Sequence, residues 1–195
     1  MNISNLDKAL EFAIDRIIED TSKRGFDSVL GQVDNCVSVS VFAAKILSLL
    51  GYPALPVEAC AQLFASSLGS FVPCVGTNIP KTRDWSGHMV VLLPRENRIV
   101  DFSLSFQGEP AKSAIGWLLQ SDQKPINRVY YFPAAIPPLG ACNIKIESVF
   151  EGGKISWLLF QSSDAWRNIG WDIGELEEFA ETTVNKYEKN TSEKL

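Results

Sequence analysis

Residues 36–53 read CVSVSVFAAKILSLLGYP, and they predict one helix together with its end. Apolar residues recur along this stretch at helical spacing, at Val39, Ala43, Ile46, Leu47 and Leu50. Gly51 and Pro53 follow directly, and a glycine and a proline after a periodic stretch are typical of a helix C-terminus. We therefore expect an amphipathic helix from Cys36 to Leu50, with one face on the protein core.

The two ends of the chain predict further helices. Residues 5–20 place apolar side chains at helical spacing after Ser4-x-x-Asp7, a pattern that resembles a capping box. Residues 172–187 show a second amphipathic pattern near the C-terminus, and residues 111–120 also favour a helix. The first two predicted helices therefore precede every predicted strand.

The middle of the chain predicts a mostly antiparallel sheet. Expected strands span residues 54–65, 88–93, 99–103, 129–132, 143–150 and 155–161. In residues 54–65 the apolar and polar alternation favours a strand, whereas the alanines leave a helix open. Residues 69–86 have no periodicity and predict a long loop, either a lid or a plain surface connection. The expected class is α+β, with N-terminal helices packed on the sheet and a C-terminal helix.

Length and composition predict a single domain. The chain has 195 residues, of which 46% are hydrophobic, so it is long enough to bury one core. We expect this domain to span residues 1–187, with a polar tail over 188–195. The net charge is −5 and the basic residues are scattered, which argues against a nucleic-acid partner.

The sequence also argues against a membrane-spanning segment and a metal site. The N-terminus lacks the basic and apolar regions of a signal peptide, and no apolar run approaches the roughly 20 residues that span a bilayer. We therefore expect a cytoplasmic protein without a membrane partner. Four cysteines without a Cys-x-x-Cys pair, and a single histidine, argue against a metal site. The oligomeric state stays open.

Three residues form a candidate catalytic set. His88, the only histidine, begins one predicted strand; Asp101 lies in the next, and Cys36 begins the predicted helix. A cysteine, a histidine and an aspartate in such positions are the parts of a thiol nucleophile, its base and the group that orients the base. A helix N-terminus and a neighbouring imidazolium both favour the thiolate, which is the attacking form. We therefore predict a triad of Cys36, His88 and Asp101.

The predicted hairpin brings the histidine and the aspartate together. Residues 94–97 form its turn, so positions whose numbers sum to about 191 lie opposite each other. His88 then faces a residue near position 102 or 103, and Asp101 lies within one or two positions of that point. A buried carboxylate without a partner is costly, and the single histidine is the natural partner for Asp101.

Two further positions complete the predicted site. The developing charge on a substrate oxygen requires hydrogen-bond donors, and the backbone N–H of Cys36 is one candidate. The side-chain amide of Gln32, four residues earlier, is the other. Trp85 lies three residues before His88 and is a candidate wall of the substrate pocket.

Three motifs carry a resemblance to a known group: Asn35-Cys36 at a helix start, Gly87-His88-Met89-Val90-Val91, and Ile99-Val100-Asp101. Together they resemble the transglutaminase-like core of the papain-type cysteine peptidase superfamily. In that superfamily a helix carries the cysteine, and adjacent antiparallel strands carry the histidine and the aspartate. The resemblance covers residues 31–103 and implies thiol-dependent amide chemistry: peptide or isopeptide hydrolysis, deamidation, or acyl transfer to an amine.

The resemblance leaves the subfamily open. Arylamine N-acetyltransferases share the core, but their arginine- and glycine-rich sequence before the cysteine is absent, and no tryptophan follows Cys36 as in papain-type peptidases. The expected function is formation of a thioester on Cys36 from a peptide, protein or small amide substrate, with no metal or organic cofactor required. The alternative is a binding or regulatory protein that keeps the fold without turnover.

Overall fold

The computed structural model describes residues 5–23, 28–31, 36–65, 70–75, 88–96, 98–102, 130–133, 144–150, 153–160, 165–168 and 172–192. These ranges contain the helices α1 (Leu6–Thr21), α2 (Cys36–Leu49) and α3 (Ile173–Ser192), and a short 3₁₀ helix (Ala165–Asn168). The strands are β1 (Leu55–Ala65), β2 (Ser70–Val75), β3 (His88–Leu93), β4 (Arg98–Asp101), β5 (Tyr130–Pro133), β6 (Ile144–Phe150) and β7 (Gly153–Phe160). The α+β prediction is confirmed: two N-terminal helices, an antiparallel sheet, and a C-terminal helix packed on α2.

The sheet is organised around β1. Its strand order is β5-β4-β3-β1-β7-β6, with β2 also paired to β1, and each described pairing is antiparallel. Along one edge of β1 lies β7, whereas β3 and β2 pair with successive halves of the other edge, Leu55–Ala59 and Ala61–Ala65. The alternative of a helix over residues 54–65 is wrong, because cross-strand partners accompany β1 along its length.

The prediction of a loop over residues 69–86 is wrong in its first part, where β2 pairs with the second half of β1. Ala61 lies opposite Val75 and Leu63 opposite Val72, so β2 carries one extra residue between these pairs. Pro73 lies within this bulge, a position that suits proline because it has no N–H to donate to a ladder. Residues 76–86 lie outside the described part of the chain.

Helix α2 occupies the centre of the fold. Its buried residues are Cys36, Val37, Ser38, Val39, Ser40, Val41, Phe42, Ala43, Ala44, Ile46 and Leu47. The other helices and both β1 and β3 pack against it, and Phe42 stacks on Phe179 of α3 with ring centroids 5.0 Å apart. The amphipathic prediction is therefore wrong for this helix, because a helix covered on most sides has little solvent face to mark with polar residues.

The ends of the helices follow local side-chain chemistry. Asn5 caps α1 by accepting the Asp7 N–H at 2.9 Å, so the cap lies at Asn5 and the prediction from Ser4 is corrected. After α2, Gly51 adopts a φ of +94°, and the Tyr52 N–H donates to the Leu47 carbonyl at 2.9 Å. This left-handed cap ends the helix where the glycine predicted it.

The C-terminal helix is longer than predicted. Its buried stripe of Leu176, Ala180 and Val184 anchors it to the core, and Lys45 of α2 donates to Glu181 at 2.8 Å. The polar residues after position 187 continue the helix up to Ser192, so part of the expected tail is helical. The helix expected over residues 111–120 lies outside the described ranges.

Candidate active site

His88 and Asp101 lie on neighbouring strands and contact each other directly. The β3–β4 register pairs Val91 with Val100, which confirms the predicted sum of 191. Continued by one position, this register places Asp101 opposite Val90, two residues from His88 on the same face of β3. The His88 Nε2 atom lies 2.7 Å from Asp101 Oδ2, and both side chains are fully buried. The hairpin therefore builds the predicted base and its orienting group.

Cys36 is the first residue of α2 and is 8% exposed. One turn further along the helix, the Ser40 hydroxyl donates to the Met89 carbonyl of β3 at 3.2 Å. This contact holds the start of α2 against the start of β3, where His88 lies next to Met89. The thiol of Cys36 lies close enough to the His88 ring to act on its titration. All three predicted triad residues are thus brought together.

Electrostatics keep His88 protonated. Burial by itself would lower the pKa of the imidazole, because it disfavours the charged form. The charge of Asp101 and its hydrogen bond to the ring act in the opposite direction and prevail, and Cys36 adds to them. The net result raises the pKa of His88 to about 10. At neutral pH the ring is therefore an imidazolium, with an N–H on each nitrogen.

The second nitrogen of His88 has no hydrogen-bond partner of ordinary geometry among the described residues. Nδ1 is buried, and none of the described residues accepts from it with ordinary distance and angle. Cys36 raises the pKa of the ring both as a hydrogen-bonding side chain and through its charge, although its sulfur lies outside ordinary hydrogen-bond distance and angle from Nδ1. A buried N–H left open in this way is rare in folded proteins and calls for an explanation.

The other predicted site residues fall outside the described ranges. Gln32, the candidate oxyanion-hole side chain, and Trp85, the candidate pocket wall, both lie in segments of which the structure gives no description. The second candidate donor, the backbone N–H of Cys36, lies in the first turn of α2. The N–H groups of a first helical turn have no acceptor within the helix.

Three residues near the site were missed from the sequence. Ser38 and Ser40 are fully buried in α2, and their hydroxyls donate to the carbonyls of Leu30 and Met89. Asp20 of α1 is buried as well, and it holds the segment before α2. A signal for the two serines exists, because a hydroxyl inside an apolar helix must find an acceptor.

Comparisons of the chain with known protein families, with curated proteins and with solved structures found no match. Within the part of the chain that is described, no group of three or more histidine, cysteine, aspartate or glutamate side chains is arranged to hold a metal ion. None of the described helices is long and apolar enough to cross a membrane.

Proposed function

We propose that this protein is an enzyme acting on amide bonds through Cys36, His88 and Asp101, with a thioester intermediate. One observation carries the proposal: the buried His88 is held by Asp101 at Nε2, while Nδ1, beside Cys36, has no partner of ordinary hydrogen-bond geometry among the described residues. A structural histidine satisfies both nitrogens, whereas a catalytic acid or base leaves one open for the reacting atoms. The proposed architecture is the transglutaminase-like core of the papain-type cysteine peptidase superfamily.

The first half of the proposed reaction acylates the cysteine. In the resting enzyme Cys36 is a thiolate and His88 Nδ1 carries the proton. Sγ attacks the carbonyl carbon of the substrate, and the electron pair of the C=O bond moves onto oxygen. The C–N bond then breaks as Nδ1 gives its proton to the leaving nitrogen. The products are a thioester on Cys36, a released amine and a neutral His88.

The second half resolves the thioester. A water molecule or a second amine gives a proton to Nδ1 and attacks the thioester carbon, and Sγ leaves as the thiolate. Water produces a carboxylic acid, and an amine produces a new amide. Attack by water after release of ammonia from a primary carboxamide amounts to deamidation. The proposal includes all three outcomes, because they differ only in the groups that leave and enter.

Asp101 and the start of α2 support both halves. The Asp101 carboxylate fixes the orientation of the His88 ring and stabilises its charged form, so Nδ1 is the nitrogen that exchanges protons. The proposed oxyanion hole consists of the Cys36 backbone N–H and the Gln32 side-chain amide, both of which would donate to the substrate oxygen.

The test is the rate of iodoacetamide labelling of each cysteine between pH 5 and 9, followed by mass spectrometry in wild type and His88→Ala. We expect Cys36 to react at pH 6 at least about tenfold faster than Cys60, a second buried cysteine in the same fold. This advantage should disappear in His88→Ala. Equal labelling of Cys36 in both proteins at pH 6 would reject the thiolate–imidazolium pair and favour a binding or regulatory protein.

Turnover provides the second half of the test. Wild type should release nitrophenolate from p-nitrophenyl acetate in a burst that corresponds to acylation of Cys36, and Cys36→Ala should show no burst. Circular dichroism of Cys36→Ala checks that its fold is retained. A folded Cys36→Ala variant with an undiminished burst would contradict the assignment of Cys36 as the nucleophile.

A further inference from the structure

We propose that Asp20, in the last turns of α1, is a positioning residue for the reaction assigned to Cys36. It acts through the peptide groups of Leu30 and fixes the segment that leads to Gln32 and α2. This inference rests on the proposed function. It adds a residue that lies outside the triad and, in our proposal, does not touch the substrate.

Asp20 is 1% exposed, and both oxygens of its carboxylate accept hydrogen bonds. Oδ2 accepts the Leu30 N–H at 2.8 Å and the Ser28 hydroxyl at 2.8 Å, while Oδ1 accepts from Lys23 at 3.0 Å. Burial alone would raise the pKa of Asp20, but the Leu30 N–H, Lys23 and Ser28 together lower it below its ordinary value. The carboxylate is therefore charged and bound to the segment before α2 at neutral pH.

Leu30 is held from two directions at once. Its N–H is bound by Asp20 of α1, and its carbonyl accepts the hydroxyl of Ser38 from α2, the helix that begins with Cys36. Its side chain is fully buried in the core. Gly31 follows with a φ of +76°, a left-handed conformation that turns the chain sharply. The two peptide groups that flank the Leu30 Cα are thus fixed relative to both helices.

The position of this clamp gives it a role in catalysis. Ser38, which binds the Leu30 carbonyl, lies two residues after Cys36 in the first turn of α2, so the clamp positions the helix start whose Cys36 N–H is a proposed oxyanion donor. Donors of an oxyanion hole act only when they lie within hydrogen-bond distance of the developing charge, and misplacement by about 1 Å can lower a rate about 100-fold. If Asp20 served only to cap α1, it would need no hydrogen bond to Leu30, a residue that Ser38 of α2 also binds.

The test separates acylation from simple reactivity of the thiol. Alkylation of Cys36 by iodoacetamide requires the thiolate but builds no charge on a carbonyl oxygen, whereas acylation by p-nitrophenyl acetate requires oxyanion stabilisation. In Asp20→Ala and in Ser38→Ala we expect the acylation rate to fall about 10- to 100-fold, with alkylation at pH 6 within about twofold of wild type. The double variant should lose little more than either single variant, because both act on Leu30.

Two further variants serve as controls. Lys23→Ala removes a half-exposed partner of Asp20 without touching Leu30, and its acylation rate should match wild type within about twofold. Asp20→Asn keeps one oxygen that can accept the Leu30 N–H, so it should recover most of the rate lost in Asp20→Ala. If Asp20→Ala does not fold, Ser38→Ala carries the same test, because it leaves the Asp20 contacts in place.

The outcomes distinguish this inference from the proposed function. Wild-type acylation in folded Asp20→Ala or Ser38→Ala would overturn the positioning role and leave the triad intact. A parallel loss of acylation and alkylation would also overturn it, because that pattern is expected of general destabilisation. Wild type without any acylation by the ester would contradict the proposed function itself, and with it the role of Asp20.

Discussion

Asp20 and Asp101 are both buried carboxylates, and both lie near the C-terminal end of a secondary-structure element. Asp20 accepts from a backbone N–H, a hydroxyl and a lysine, none of which exchanges a proton near neutral pH. Asp101 accepts from an imidazole ring whose other nitrogen, among the described residues, meets only the Cys36 side chain, outside ordinary hydrogen-bond geometry. The two sites share burial and charge, but they differ in the chemistry of the partner.

This difference distinguishes a carboxylate that only holds structure from one that orients a titrating side chain. Around Asp20 both carboxylate oxygens accept from groups that keep their protons, so the carboxylate fixes geometry. Around Asp101 the hydrogen-bond chain continues to His88, whose second N–H has no partner of ordinary geometry among the described residues. A buried polar network that ends in an open position therefore points to chemistry, whereas a closed network points to structure.

The largest expected effect is the loss of acylation in Asp101→Asn, and Asp20→Asn is the matched comparison. Asp101→Asn removes the charge that holds His88 protonated, so we expect acylation at pH 7 to fall by about 100-fold or more. Asp20→Asn should change the acylation rate far less and act mainly on the free energy of unfolding. Nitrophenolate burst rates and urea unfolding of both variants measure this contrast. Similar losses of rate in the two variants would remove the distinction between the acids.

The second prediction concerns pH above neutrality. The pKa of His88 is raised to about 10 in the folded protein, against about 6.5 in an unfolded chain. Its contribution to stability is therefore complete below about pH 6.5 and is lost as the pH rises towards 10, by an amount of the order of a few kcal/mol. Urea unfolding at pH 6, 8 and 10 should show this loss in wild type and a smaller one in His88→Gln. Parallel curves would contradict the raised pKa.

The third prediction concerns the acid side. Because the pKa of Asp20 is lowered on folding, its contribution is complete above the unfolded pKa of about 3.9 and is lost as the pH falls below it. Wild type should therefore lose more stability between pH 5 and 3 than Asp20→Asn does. Thermal unfolding across this range measures the difference. An equal slope in both proteins would show that Asp20 contributes nothing through its charge.

The smallest effect is expected for Gly51→Ala, because Gly51 ends α2 and has no part in the proposed reaction. Its φ of +94° is strained for any residue with a Cβ, while no atom lies within 4 Å of the position a Cβ would take. Gly51→Ala should therefore lower the free energy of unfolding by about 1 kcal/mol through the backbone alone. Iodoacetamide labelling of Cys36 should stay at the wild-type rate. A changed rate would show that the scaffold and the site are coupled more tightly than their contacts indicate.

Local patterns predicted much of the fold because the signals involved are short in range. The end of α2 at Gly51, and the β3–β4 hairpin with its register, follow from turn chemistry and side-chain alternation. The bulge at Pro73 and the burial of α2 on most sides depend instead on which distant elements pack together. Such contacts leave no periodic trace in a single sequence.

Within the candidate site, too, some residues were predictable from the sequence and others were not. Cys36, His88 and Asp101 could be picked out because histidine and aspartate are rare in apolar strands and because the order of the three residues along the chain is informative. The clamp on Leu30 could not, because aspartate near a helix end and serine within a helix have many uses. Only the three-dimensional contacts connect Asp20 and Ser38 to one residue.

β2 and β3 pair with the same edge of β1, and this pairing fixes the position of His88 at the start of β3. β2 ends opposite Ala61 and β3 begins opposite Ala59, so the chain leaves the sheet and rejoins it at points about 7 Å apart along that edge. Closing a loop between fixed, neighbouring points becomes only slightly more costly as the loop lengthens. A change in the number of residues between Val75 and His88 therefore leaves the pairing of His88 with Ala59 in place.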